Sequence, residues 1–186
     1  PTVGFVLHWP PDHRLPDRFM NTLAWLDRLT AIDTVSRHSN LGLIETVRDA
    51  LKRHGLDPWL NLNAEGTKAN LFCTLPAQNG ATQGGIALSG HTDVVPVDGQ
   101  DWATDPFKLT EQDGKLYARG ACDMKGFIAA SLALVPEFLA LPRSQPMHLA
   151  LSYDEEVSCL GAPFMLAELQ QRGIPSTAAW WASRRR

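Results

Sequence analysis

Periodic apolar positions begin near Met20, where Leu23, Trp25, Leu26, Leu29 and Ile32 recur at helical spacing and predict a first helix. Asn40 stands where a helix cap belongs, ahead of an apolar face of Leu43, Ile44, Val47 and Leu51, and His54-Gly55 forms the stop. Two short apolar runs bounded by turn residues read as strands, Asn70 to Leu75 and Gly85 to Gly90, the second running straight into His91-Thr92-Asp93. From Phe127, the residues Ile128, Leu132, Val135, Phe138 and Leu139 predict a helix that Pro142 ends. Met147 to Tyr153 follows as a strand, and a last helix spans about Ala162 to Arg172, with Pro163 in its first turn, where the missing N–H has no helical partner anyway. This order predicts an α/β domain with a mostly parallel sheet flanked by helices, whose functional groups sit at the carboxyl ends of the strands.

Neither end fits that pattern. Residues 1–19 hold Pro10, Pro11 and Pro16 among scattered charges without periodicity, so they read as an extension foreign to the domain, with Met20 as its natural start. The domain then occupies residues 20–174. Residues 175–186 have no apolar period and stop on Arg184-Arg185-Arg186, which reads as a tail.

Composition narrows the class. A chain of 186 residues with 44% hydrophobic and 20% charged residues is an ordinary globular mixture, neither disordered nor a coiled coil. Seventeen basic side chains against 20 acidic ones, net −3, argue against a nucleic-acid surface. No apolar run approaches the roughly 20 residues that cross a bilayer, so no membrane partner is expected. Cys73, Cys122 and Cys159 form no CxxC pair, which points to small buried hydrophobes in a reducing cytoplasm rather than to disulfides or a thiolate zinc site.

Three polar clusters interrupt the apolar segments where strands end or helices begin: His91-Thr92-Asp93, Cys122-Asp123-Met124-Lys125 and Asp154-Glu155-Glu156. One imidazole with several carboxylates is a nitrogen-and-oxygen donor set, suited to zinc, cobalt or manganese. Residues two apart on an extended chain share a side, so Asp93 is placed to accept a hydrogen bond from His91 and fix its tautomer. Glu155 and Glu156 are adjacent, and at a strand end they are expected to diverge, one ligating while the other serves as general base. Taken singly, each cluster is more often a solvated loop or a helix cap; together they point to a metal site.

The residues Ser89-Gly90-His91-Thr92-Asp93-Val94-Val95-Pro96, Asp105-Pro106-Phe107, Tyr117-Ala118-Arg119-Gly120-Ala121-Cys122-Asp123-Met124-Lys125-Gly126 and Tyr153-Asp154-Glu155-Glu156 resemble the di-zinc aminoacylase and carboxypeptidase family, in order, across about residues 20–175. Thr30 to Ser36, Glu65 to Asn70 and Val97 to Trp102 are similar to one branch of it that acts on N-acyl amino acids. The resemblance implies a zinc-peptidase-like catalytic domain in which His91 binds one zinc, Glu156 the other and Asp123 bridges both, two Zn2+ per complete site with Co2+ as the alternative ion. It further implies Glu155 as general base, Asp93 as the residue orienting His91, a small-molecule N-acyl amino acid as substrate, and a homodimer for the complete protein.

The family also carries a third acidic ligand in a Val-Gly-Glu-Pro-Thr segment, a smaller dimerisation (lid) domain and a second metal-binding histidine, none of which occurs in these 186 residues. The codons for Trp180-Trp181-Ala182 contain Val-Gly in another phase, and the codons after them are compatible with Glu-Pro-Thr, so the tail reads as an out-of-frame version of that segment. With Asp123 and one further residue for each metal, the 186 residues are expected to bind zinc weakly and to be inactive. The rival expectations are another amide hydrolase of the same family, a desuccinylase or a dipeptidase, and a non-catalytic metal-binding fragment.

Overall fold

A computed structural model describes residues 20–174 and the backbone of 178–181. The expectations for residues 1–19 and for most of 175–186 lie outside the described residues. Helix α1 (Thr22–Thr30) starts at Asn21, whose side-chain oxygen accepts the Ala24 N–H at 2.9 Å. Asn40 precedes α2 (Leu41–Arg53) as expected, but its side chain does not cap it. Instead Asn40 Oδ1 accepts the Ala69 N–H, and Nδ2 donates to the Ala69 carbonyl and to Thr92 Oγ1, all at 2.9 Å. The longer-range partners outcompete the local cap and tie α2 to the strand ends around the site.

Strands β1 (Trp59–Leu62), β2 (Ala69–Leu75) and β3 (Ile86–His91) follow, then a hairpin of β4 (Thr110–Gln112) and β5 (Lys115–Tyr117). Asp113 and Gly114 turn that hairpin with φ of 52° and 68°, the pair of left-handed residues that a two-residue hairpin loop favours. The expected helix from Phe127 is two, α3 (Gly126–Ala133) and α4 (Val135–Ala140). Pro136 separates them, because it lacks an N–H and its ring crowds the preceding turn. Strand β6 (Met147–Ser152), helix α5 (Gly161–Gln171) and strand β7 (Ala178–Trp181) complete the order.

The main sheet runs β1-β2-β6-β3-β7. The pairings of β3 with β6 and β7 are parallel and those of β2 with β1 and β6 antiparallel, so the sheet is mixed rather than mostly parallel. The connections on either side of β2, residues 63–68 and 76–85, are too short for the helical crossover that a parallel partner requires, so the chain reverses at each of them. β7 lies in a segment for which no element was expected. Helices cover both faces. Leu71, Cys73 and Leu75 of β2, with Leu149 and Leu151 of β6, face α1, α2 and α3, while Phe72 and Ala150 face Met165 and Leu169 of α5. This alternation explains why nearly every residue of β2 is buried. None of the described helices is long and apolar enough to cross a membrane. The three cysteines are free, but only Cys73 is buried as expected; Cys122 is exposed and Cys159 half-buried, both in turns at strand and helix ends.

Two features of this frame place the site. In the parallel β3/β6 register His91 lies opposite Ser152, so Thr92-Asp93 and Asp154-Glu155-Glu156 leave the sheet side by side. Gly120, at φ 78°, opens the turn Ala121–Lys125 that carries Asp123, and a Cβ there would stand 2.5 Å from Val94 Cγ1. Gly120→Ala is expected to lower stability by about 1–3 kcal/mol in urea unfolding, because it adds both left-handed strain and a clash. An unchanged midpoint would show that the turn relaxes freely.

Candidate metal centre

His91 ends β3 with 3% of its surface exposed. Its Nδ1 lies 3.0 Å from the Asp93 backbone carbonyl and 3.4 Å from Asp93 Oδ1. The opposite nitrogen, Nε2, faces Asp123 Oδ1 at 3.1 Å and Glu155 Oε2 at 3.8 Å. Donor atoms of His91, Glu155 and Glu156 all lie within 4.8 Å of one another. Asp123 touches His91 from the turn before α3 but falls outside that trio. Three of the five residues singled out from the sequence, Asp123, Glu155 and Glu156, thus gather around a fourth, His91, and the fifth, Asp93, stands behind the ring.

Two expectations need correction here. Glu155 and Glu156 do not diverge, because they are no longer on the strand: Asp154 has φ of 56° and bends the chain into a turn that brings both carboxylates to His91. Asp93 meets the imidazole mainly through its backbone carbonyl, while its carboxylate has other work. Asp93 Oδ1 accepts the Glu155 N–H at 2.9 Å, and Oδ2 accepts the Glu156 N–H at 3.1 Å and the Ser36 hydroxyl at 2.7 Å. Asp93 therefore holds the backbone from which the two glutamates project.

The charges respond to this crowding. Burial opposes a charge on His91, but the hydrogen bond and charge of Asp93, joined by Asp123 and Glu155, outweigh it and push the imidazole up to about 9. Burial also opposes the Asp93 charge, yet the hydrogen bonds from His91, Ser36 and the Glu155 backbone hold that carboxyl below its usual range. Glu156 is raised, by burial and then by the charge of Asp123. Without a metal the pocket concentrates negative charge around one protonated imidazole. A divalent cation in place of that proton would relieve the repulsion, so the donor chemistry fits zinc or a similar ion.

Several supporting residues escaped sequence reasoning. Lys68 Nζ lies 2.5 and 2.6 Å from the two Asp154 oxygens and 2.5 Å from the Ser36 carbonyl. Lys125, fully buried, donates to the Ile32 carbonyl at 2.7 Å and so anchors the Asp123 turn to the end of α1. Burial pushes its amine down to about 8, against the opposing charge of Asp33. Arg119 stacks over Trp102 at 5.0 Å and donates to Gln100 Oε1, while its buried Nε has no partner among the described residues. All of these positions lie in stretches that resemble the family, and Lys125 in one of the three polar clusters, but no local pattern gave any of them a role.

An imidazole and carboxylates gathered at the ends of adjacent parallel strands, beneath helices on both faces, define an α/β domain of the metal-site class. The chain matches the sequence model of Peptidase family M20/M25/M40 over residues 87–180, half its length, and belongs to that family. It is 38% identical over 135 residues to the acetylornithine deacetylase of Pasteurella multocida, a stretch covering 72% of this chain and 34% of that protein. The acetylornithine deacetylase of Yersinia pestis is 42% identical over 106 residues, 56% of this chain and 27% of the relative. The chain thus spans about a third of the length of these curated relatives. Among solved structures, human carnosine dipeptidase 1 superposes with a TM-score of 0.70 at 25% identity, covering 88% of this chain and 39% of that one. The M20 family metallo-carboxypeptidase of Sulfolobus solfataricus gives 0.69 at 22% identity, with 85% and 36% covered, and shares the fold.

Proposed function

We propose that this chain is the N-terminal part of the catalytic domain of a zinc-dependent amide hydrolase that converts N2-acetyl-L-ornithine to ornithine and acetate, a step of arginine biosynthesis. The observation that carries the reading is the convergence of His91, Glu155 and Glu156 within 4.8 Å, with Asp123 3.1 Å from the same imidazole nitrogen. The similarity to acetylornithine deacetylases supports the substrate. His91, Asp123 and Glu156 would hold the metal. When bound, zinc would polarise the amide carbonyl and acidify water. Glu155, whose carboxylate lies 3.8 Å from His91 Nε2 and is partly open to solvent, would take a proton from water and deliver it to the leaving amine. Asp93 keeps His91 Nδ1 engaged and presents the opposite nitrogen outward.

In this proposal residues 1–19 are an added extension, 20–174 the domain part and 175–186 an out-of-frame tail, of which 178–181 nonetheless pair with β3 as β7 and the family match reaches residue 180. The 186 residues alone are then inactive on acetylornithine, while a longer protein carrying the remaining ligands hydrolyses it. Faster hydrolysis of succinyl-diaminopimelate by that longer protein would move the assignment within the family. Activity of the 186-residue chain itself would overturn the ligand count.

Binding is testable on the chain as it is. Zinc must displace the proton that His91 holds up to about 9, so its affinity should rise about tenfold per pH unit below that value, with one proton released. Competition against a fluorescent chelator from pH 6 to pH 9 measures this, and His91→Ala should weaken zinc at least about a hundredfold. The metal-free chain has the opposite trend. A raised imidazole contributes stability that is complete below 6.5 and is lost as pH climbs through about 9. Thermal melts should therefore show the metal-free chain weakening, and the benefit of zinc growing, across the same window. A zinc effect independent of pH would remove His91 from the ligand set.

A further inference from the structure

We propose that Lys68 and Asp154 form a buried clamp that sets the position of Glu155 and Glu156, making both of them positioning residues of the metal cluster. The inference deepens the metal-site reading and rests on it for its functional meaning. The ammonium of Lys68, at the mouth of β2, bonds both oxygens of Asp154, and the two side chains are only 14% and 8% exposed. Its third donor goes to the Ser36 carbonyl at 2.5 Å. All three of its N–H groups are thereby used, with no solvent partner required.

A buried ion pair is weak evidence of added stability, because removing two charges from water offsets most of their attraction. Its location explains it better. Asp154 is the residue whose left-handed φ of 56° turns the chain off β6, and Glu155 follows directly. Ser36 links the clamp to the other support of the glutamates: its carbonyl accepts from Lys68 while its hydroxyl donates to Asp93. Asp93 in turn accepts the Glu155 and Glu156 N–H groups. The contacts close into a circuit, from Lys68 to Asp154, along the chain to the glutamates, to Asp93, to Ser36 and back to Lys68. Two acidic side chains that repel each other are thus held at both ends of their short segment.

The test uses the 15N-labelled chain with Lys68→Met and Asp154→Asn combined, which removes both charges together and keeps a residue that tolerates the left-handed turn. Native-state hydrogen exchange should show the Glu155 and Glu156 amides exchanging about tenfold faster or more, with the Leu71 and Leu149 amides of the sheet unchanged. Zinc affinity should fall about tenfold, and Lys68→Arg, which preserves the charge, should restore most of both properties. Wild-type protection at Glu155 and Glu156, or equal acceleration throughout the sheet, would overturn the clamp. Absence of zinc binding in the parent chain would refute the metal reading instead, and the amide exchange would still decide whether Lys68 and Asp154 hold the glutamates.

Discussion

Asp93→Ala is expected to lower the stability of the chain by about 3–5 kcal/mol and to eliminate zinc binding. The carboxylate is 2% exposed and accepts the Ser36 hydroxyl and the Glu155 and Glu156 N–H groups, with the His91 ring 3.4 Å away. Alanine leaves those three donors and a protonated imidazole facing a cavity, and each buried unpaired group costs about 1–3 kcal/mol, more where it is charged. Some of that penalty is relieved when His91 loses its proton, so the variant should also bring the His91 titration, read by NMR, down from about 9. Asp93→Asn fills the space but presents an NH2 to groups that need an acceptor, and should fall between. Urea unfolding measures the loss; a change under about 1 kcal/mol would mean that water replaces the carboxylate and that the fixed backbone of Glu155 has another cause.

Phe72→Ala is the second large effect, at about 3–5 kcal/mol. Phe72 is 1% exposed, with its ring centroid 5.3 Å from Trp59 and 5.1 Å from His148. Its side of the sheet has a small core, Phe72 with Ala150, Met165 and Leu169, against a far larger cluster on the other face. Few neighbours are available to collapse into the hole, which places the cost toward the upper end. α5 depends on this cluster and starts at Gly161, whose N–H donates to Tyr153 O at 3.1 Å immediately before the acidic turn. Loss of Phe72 should therefore raise exchange of the α5 amides more than those of α2. Equal loosening of both helices would show that the two faces fail as one unit.

How much of this was legible follows from the range of the interactions involved. Helices α1, α2 and α5 and strands β2, β3 and β6 were readable because their apolar periods are local. Pro136 was overlooked as a break because the residues on either side keep a helical period across it. β1 is hidden because its four residues, Trp59 to Leu62, are too few to show alternation, and of the separate β4/β5 hairpin only the turn Asp113-Gly114 is a local signal. His91, Asp93, Asp123, Glu155 and Glu156 stood out by residue type at element ends. What holds them did not. Asn40 looked like a cap and serves as a bridge 29 and 52 residues away, and Lys68 reaches Asp154 across 86 residues. No window along the chain contains such a pair, so its meaning appears only when the sheet is assembled.

The parallel register that sets His91 opposite Ser152 has a kinetic consequence. The bonds that hold the acidic turn in place span long stretches of chain: Ser36 to Asp93 closes 57 residues, Glu155 to Asp93 closes 62 and Lys68 to Asp154 closes 86. Loops of this size must be closed against chain entropy before they gain anything in return, and topologies rich in them fold slowly. Helices α1 and α2 can form early from local contacts, but the pocket cannot exist in any species that lacks the β3/β6 pairing. Metal capture during refolding would consequently lag behind the recovery of helical circular dichroism and would time the last long-range closure of the chain.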